Sequence, residues 1–426
     1  MSKINQAWKL IFEKLQILYS IEEKGFFEIK ASEIKLISGE EPRLMAKFDS
    51  SASLPDIFSK NELSILPISR NKYIISNFEA YKKFESINSS IKTGYSLSNI
   101  QSIDIKNINS EAISINCAFA SGILEDFLDD DELYPTVSGR MGTGSFYFNV
   151  NKKNGGFLNN ILVESSQMEI DAAFEGINSL SLIEAKKYLS EDFLIRQLYY
   201  PYHFWQKKIT KRVRSIFLTY SNSIFNLYEY EFKEPSLYNS LKLVKHQNYL
   251  IEDSPITMED LINVYSKIYF IGELAATFPQ ADKFERIINL CELLKDKSLH
   301  RDEITNEYAF DNRQTSYYTS AGIYLGLIER NLISHGNFSL TSFGREVLSL
   351  SYKERQLKLF EAIIRHKVFY DVFTFVIKNG YIPDTKYVVN TMRKYQLVGV
   401  CSDETRRRRS STIKSWISWG IKLIRE

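Results

Sequence analysis

The chain has 426 residues, which at ~150 residues per domain corresponds to about three domains. A composition of 44% hydrophobic and 25% charged residues excludes a disordered or fibrous protein. The net charge of +2 is uneven: residues 351–426 carry 16 Lys/Arg against 7 Asp/Glu, so a mildly acidic body precedes a basic block suited to a polyanionic partner.

Apolar stretches such as 161–163 and 216–218 fall far short of the ~20 residues that span a bilayer, so no membrane segment is expected. Residues 1–6 lack the charged start and apolar run of a signal peptide, which points to the cytoplasm. Cys117, Cys291 and Cys401 form no CxxC pair, and the five histidines have no metal-ligand spacing. Carboxylates and lysines are left to carry any chemistry.

Residues 1–100 open with a helical period (Ile4, Trp8, Ile11, Phe12, Leu15, Leu18) and continue into strand-like pieces at 63–68 and 72–75. This N-terminal α+β domain is open to a DNA-contacting or an assembly role. Residues 101–250 are richer in strands. Their acidic cluster, Glu125, Asp126 and 129–132, reads as solvated surface. The segment 136–146 holds three glycines and Arg140, and fits equally a plain glycine turn or a backbone contact with DNA. Strands are expected at 157–164, 167–174, 180–186, 213–220 and 224–232, with a helix from Glu191 to about Tyr200, capped by Ser190 and ended or bent by Pro201. That order implies a mixed sheet flanked by helices.

Two of these strands carry the informative residues. Asp171 sits among apolar neighbours in one, and Glu184 and Lys186 share a face of the next, because side chains alternate along a strand. If the strands are neighbours, Asp171 meets Glu184. An isolated Glu-x-Lys is more often a surface salt bridge, but Leu182 and Ile183 mark an interior strand, where a charge needs a partner or a metal. Two close carboxylates repel, and a hard divalent cation such as Mg²⁺ removes the conflict. The lysine can then orient or deprotonate a water and offset phosphate charge. Glu169, on the face of Asp171, and Glu164 are candidate extra acids, although ordinary strand-edge charges account for both.

Residues 257–350 turn helical and read as a winged helix over 302–348. Its second helix starts at Asn312, Arg313 and Gln314, with Tyr317 one turn on, positions that in a DNA-binding winged helix face base edges in the major groove; a protein-binding module, with the tyrosines in its core, is the other reading. Residues 355–426 read as a second basic module, helical or winged-helix-like. Arg406, Arg407, Arg408 and Arg409 there suit phosphate contacts, and Ile413, Trp416, Ile417 and Ile421 form an inward face.

Asp171 followed by Glu184-Ala185-Lys186, with Ile170-Asp171 in place of the usual Pro-Asp, resembles the PD-(D/E)XK nuclease motif. With the helix 196–202 and the run 170–176, residues 120–240 resemble a group of bacterial type II restriction endonucleases. The resemblance implies an α+β multidomain protein with a restriction-endonuclease-like mixed sheet and helical winged-helix modules. It also implies sequence-specific hydrolysis of double-stranded DNA with Mg²⁺ in a bacterial cytoplasm. Asp171 and Glu184 would be metal ligands, Lys186 would act on the water, and Gln197 would place a carboxylate or the DNA backbone. Cutting both strands implies a homodimer on DNA, and a cognate methyltransferase would act on the same site without being bound. A modification-dependent nuclease and a non-catalytic DNA-binding regulator with a degenerate nuclease fold are the competing readings.

Overall fold

A computed structural model of the chain describes residues 3–85, 90–97, 99–105, 107–130, 132–251, 255–272, 276–307, 310, 312–331 and 336–425, apart from the side chains of 306, 307 and 312. Expectations resting on Asp131, on the hairpin tip 332–335 and on the Asn312 side chain lie outside the described residues. The fold is α+β. The chain divides into two compact units, Met1–Tyr220 with Ile224–Ile251, and Ser221–Ser223 with Glu252–Glu426, where the texture of the sequence suggested four regions.

The first unit opens with helices α1 (Lys3–Leu15) and α2 (Ile17–Lys24), strand β1 (Phe27–Lys30) and helices α3 (Ala31–Ser38) and α4 (Pro42–Met45). A 3₁₀ turn (Ser51–Ser53), α5 (Asp56–Lys60), β2 (Ser64–Pro67) and β3 (Lys72–Ser76) follow. The strands form an antiparallel sheet in the order β1-β3-β2. Trp8, Ile11 and Phe12 of α1 pack with Phe58, Ile65, Tyr73 and Ile75. The alternate positions, Leu66 and Ile74, face the other way and join a core with Phe146, Phe148, Val163 and Tyr200. Because β2 and β3 are buried on both faces, residue 100 marks no boundary: the N-terminal sheet shares a core with the region after it.

That region adds β4 (Tyr81–Lys83), β5 (Ile91–Thr93), α6 (Glu111–Ala120), α7 (Ile123–Leu128), β6 (Tyr134–Gly142), β7 (Ser145–Asn151), β8 (Phe157–Glu164), β9 (Gln167–Glu175) and β10 (Ser179–Lys186). It ends with β11 (Asp192–Leu194), α8 (Arg196–Gln206), β12 (Arg212–Ser221), β13 (Ile224–Phe232) and β14 (Leu241–Leu250). Seven strands form a mixed sheet in the order β5-β14-β13-β12-β10-β9-β6, with β10 parallel to β12 and antiparallel to β9. Ile183 and Ala185 face α6 and α7, while Leu180 and Leu182 pack with Trp205 at the end of α8. Strand β8 pairs with β7 in a separate hairpin rather than entering the main sheet.

Two local expectations change. The helix expected from Glu191 starts at Arg196, because Asp192 pairs with Lys83 in the β4–β11 ladder and Ser190 Oγ donates to the Asp192 carbonyl at 2.8 Å. Of the two roles expected of Pro201, ending or bending the helix, the first is set aside: it lies inside α8. In the glycine segment, Gly139 (φ +98°) sits in β6 beside its register shifts, and Gly144 (φ +64°) turns the chain into β7.

The second unit contains α9 (Met258–Ser266), α10 (Phe284–Leu293), α11 (Arg301–Glu307), α12 (Asn312–Tyr324), β15 (Ile328–Asn331), β16 (Asn337–Leu340) and α13 (Ser342–Ser349). Four helices complete it: α14 (Tyr352–Ile364), α15 (Lys367–Asn379), α16 (Thr385–Met392) and α17 (Asp403–Lys422). Leu299, between α10 and α11, bridges Phe338 of β16 through backbone bonds of 3.0 and 2.8 Å. Trp416 is fully buried against Phe284 and Phe369, and its indole donates to the Ala281 carbonyl at 2.7 Å. Among the described residues, 351–425 hold helices and no hairpin, so the second module has no wing. Among the described residues, no helix is long and apolar enough to cross a membrane.

Candidate active site

Strands β9 and β10 pair with Leu182 opposite Ala173 and Ile183 opposite Ala172. One further step in that register sets Glu184 opposite Asp171, on one face. The ladder ends there because Asp171 Oδ2 takes the Ala185 N–H itself, at 2.8 Å. Lys186, two residues beyond Glu184, donates from Nζ to Glu184 Oε1 at 2.6 Å. Gln197, in the first turn of α8, donates from Nε2 to the same oxygen at 2.5 Å. The four residues expected to act together are thus brought together. Among the described residues, Asp171 Oδ1 and Glu184 Oε2 make no hydrogen bond.

All four line a cavity of about 360 Å³. Glu184 and Lys186 form its buried end, with side chains 9% and 11% exposed. Two further acids, absent from the expected set, line it as well. Glu111 stands in the first turn of α6, which is capped by Ser110 (Oγ accepting from Ile113 N, 3.1 Å), and its carboxylate lies 3.9 Å from Lys186 Nζ. Asp49 comes from the loop ahead of the 3₁₀ turn. A capped helix start and a lone loop acid are commonplace, so neither carried a signal in the sequence; the tertiary fold alone selects them.

The electrostatics follow from this crowding. Burial, together with Asp171 and Asp49 and against the pull of Lys186, pushes the Glu184 carboxyl up to about 8. Glu111 is raised by burial too, with Asp171 and Asp49 adding to the rise against Lys186. Burial works against the Lys186 ammonium, but Glu184, Asp49, Glu111 and Tyr188 outweigh it and hold the group well above its ordinary value. These shifts share one origin: Glu184, Asp49 and Glu111 act together on the Lys186 ammonium and hold its proton, while Asp171 and Asp49 oppose the charge of Glu184.

Arg43, Lys47, Arg70, Arg140 and Arg196 also line the cavity. Arg140 faces Glu169 across the β6–β9 ladder at 3.2 Å, and Arg43 reaches the same carboxylate at 3.8 Å. Glu169 therefore lies among the cations of the cavity wall and holds two of them. Buried atoms without hydrogen bonds among the described residues include Arg196 Nε, Gln197 Oε1 and Ser166 Oγ, all from lining residues. Glu164 is elsewhere, in a second cavity of about 400 Å³ lined by β1, β3 and β8. The acidic cluster is structural: Asp126 binds Lys92 at 2.7 Å, Asp129 binds Lys245 at 2.7 Å, and Asp130 accepts the Ile177 N–H at 3.1 Å.

In the second unit, Arg313 is exposed on the first turn of α12, with Gln314 and Tyr317 half-buried on the same helix. The arginine run lies on α17, where each residue turns by about 100° relative to the last. Arg406 pairs with Asp403 at 2.9 Å, Arg409 donates to Gln280, and Arg407 and Arg408 remain exposed. Four consecutive arginines therefore supply two exposed cations, not four.

Among the described residues, no three His, Cys, Asp or Glu side chains form a ready-made metal cluster. The donor set that does exist is Asp171 with Glu184, beside the further acids Glu111 and Asp49 of the same cavity. One or two carboxylates completed by water and phosphate oxygens are what Mg²⁺ takes, so the residues fit this ion.

Three family models match successive stretches of the chain. Residues 5–75 are similar to "Domain of unknown function (DUF6996)", residues 76–250 to "Domain of unknown function (DUF6997)", and residues 286–425 to "Domain of unknown function (DUF7226)". No curated protein and no solved structure matches the chain.

Proposed function

We propose that the chain is a Mg²⁺-dependent endonuclease for double-stranded DNA, with the site selectivity of a type II restriction enzyme. The observation that carries this reading is the meeting of Asp171, Glu184 and Lys186 on adjacent strands, in a cavity whose wall is lined with arginines. Asp171 and Glu184 would hold the ion, which, when bound, polarises the phosphate and lowers the pKa of a coordinated water.

The chain's own groups supply the rest. Lys186, next to Glu184 and Glu111, would orient a water and offset charge on the phosphate. Gln197 fixes the Glu184 carboxylate by its 2.5 Å bond. The arginines of the cavity wall match flanking phosphates, which they bind bidentately. In the second unit the order helix, bridging strand, helix, helix, hairpin favours a winged helix, with α12 as the helix that reads the major groove through Arg313 and Gln314.

Purified protein incubated with plasmid and Mg²⁺, with EDTA as control, tests the reading. Discrete fragments that vanish with EDTA are expected. Smearing indicates an unspecific nuclease, cutting confined to methylated plasmid indicates a modification-dependent one, and intact DNA of either kind indicates a regulator.

The α17 geometry adds a second expected result. Replacing Arg407 and Arg408 together by alanine should flatten the log–log salt dependence of DNA affinity by about 1.8, at ~0.9 per lost phosphate contact. Replacing Arg409, held by Gln280, should leave the slope nearly unchanged. Equal effects at both places would contradict the division of the run.

A further inference from the structure

Residues 5–75 and 76–250 are matched by separate family models, yet the cavity draws its lining from both stretches. The loop 48–53 of the first is fastened to the second at several points. Asp192, 6% exposed, accepts from Ser50 Oγ at 2.9 Å and from Ser51 N at 2.8 Å through one oxygen, and from Ser51 Oγ through the other. Leu194 N donates to the Asp49 carbonyl at 2.9 Å, and Tyr81 OH donates to the Phe48 carbonyl at 3.0 Å. These bonds fix the backbone on both sides of Asp49, whose side chain lines the cavity with Lys186, Glu184 and Glu111.

Lys186 donates to Glu184, a carboxylate that a bound cation would also claim. An amine with no other acid beside it would lose its anchor at that moment. Glu111, at 3.9 Å, is the acid within ion-pair reach, and Asp49, lining the same cavity, adds a longer-range attraction that holds the amine toward it. The same N-terminal stretch brings Arg43 and Arg70 to the cavity wall. We propose that the active centre is composite: the N-terminal module supplies Asp49 as the positioning residue for Lys186, and Arg43 and Arg70 as grips on the phosphates of the cut strand. This rests on the nuclease reading.

Three variants test it in the full-length protein. Asp49→Asn should lower kcat by about 10- to 100-fold, the usual cost of removing a group that orients an active-site residue, with KM and DNA affinity unchanged and the melting temperature preserved. Asp49→Glu, which restores the charge, should recover part of that loss; an acid with a merely structural role would show no such split or rescue. Arg43→Ala with Arg70→Ala, titrated against duplex DNA in EDTA, should reduce the salt slope by about 1.8. Wild-type cleavage matched by Asp49→Asn overturns the proposal while leaving the nuclease reading intact. Should wild type cut nothing, the nuclease reading fails, and the EDTA slope still decides the N-terminal half: an unchanged slope overturns it.

Discussion

Glu184→Gln should reduce cleavage by on the order of 10²–10⁴-fold, the range contributed by a positioned ionisable group, while leaving DNA affinity in EDTA nearly intact. The substitution keeps the shape of a side chain that is 9% exposed and removes the charge that would ligate the ion. Lys186 retains Glu111 at 3.9 Å, so the fold has no reason to open. Glu184→Ala should act in the same direction but leaves a cavity, which adds a stability penalty. The check is a pair of measurements on one preparation, cleavage rate in Mg²⁺ and equilibrium DNA binding without it. Loss of binding in step with cleavage would assign Glu184 to folding or DNA contact.

The largest expected stability effect lies on the same sheet, away from the cavity. Glu229 of β13 is 4% exposed and accepts from Arg214 Nε and Nη2 of β12 at 2.8 and 2.7 Å. Arg214 also donates to the Leu128 carbonyl at 2.6 Å, which ties α7 to the sheet. Removing one partner of a buried, doubly bonded pair leaves the other charge uncompensated, at a cost of about 3–5 kcal/mol. Glu229→Ala should therefore lower the melting temperature of this unit by on the order of 10 °C, at about 2–4 °C per kcal/mol for its size. A shift below about 2 °C would mean that water or a shifted Arg214 replaces the lost carboxylate.

The strands that build the site were legible because their patterns are local. Alternating and continuous apolar runs marked β9, β10, β12 and β13 to within a residue or two, and that pattern also fixed which face Glu184 and Lys186 share. The start of α8 was not legible. Asp192 lies in a segment that reads as a helix start, but the ladder with Lys83 and the hydroxyls of Ser50 and Ser51, some 140 residues away, draw it into a strand. Asp49 and Glu111 were hidden for the same reason, since nothing nearby in sequence sets them apart from solvated acids. The arginine run misled in the other direction: density along the chain is not density on a surface, because a helix spreads neighbours around its axis. The continuity of the N-terminal sheet with the rest of its unit was hidden too, although the runs 64–67 and 72–76, buried on both faces, are its trace.

The central claim is that the cavity of Asp171, Glu184 and Lys186 cuts DNA. The most direct measurement is sequencing of fragment ends after a Mg²⁺ digest of unmethylated phage or plasmid DNA, run beside Glu184→Gln. Ends that fall at one recurrent sequence with wild type, and are missing from the variant digest, are the expected result. Wild-type DNA left intact, or identical ends from both proteins, would contradict it.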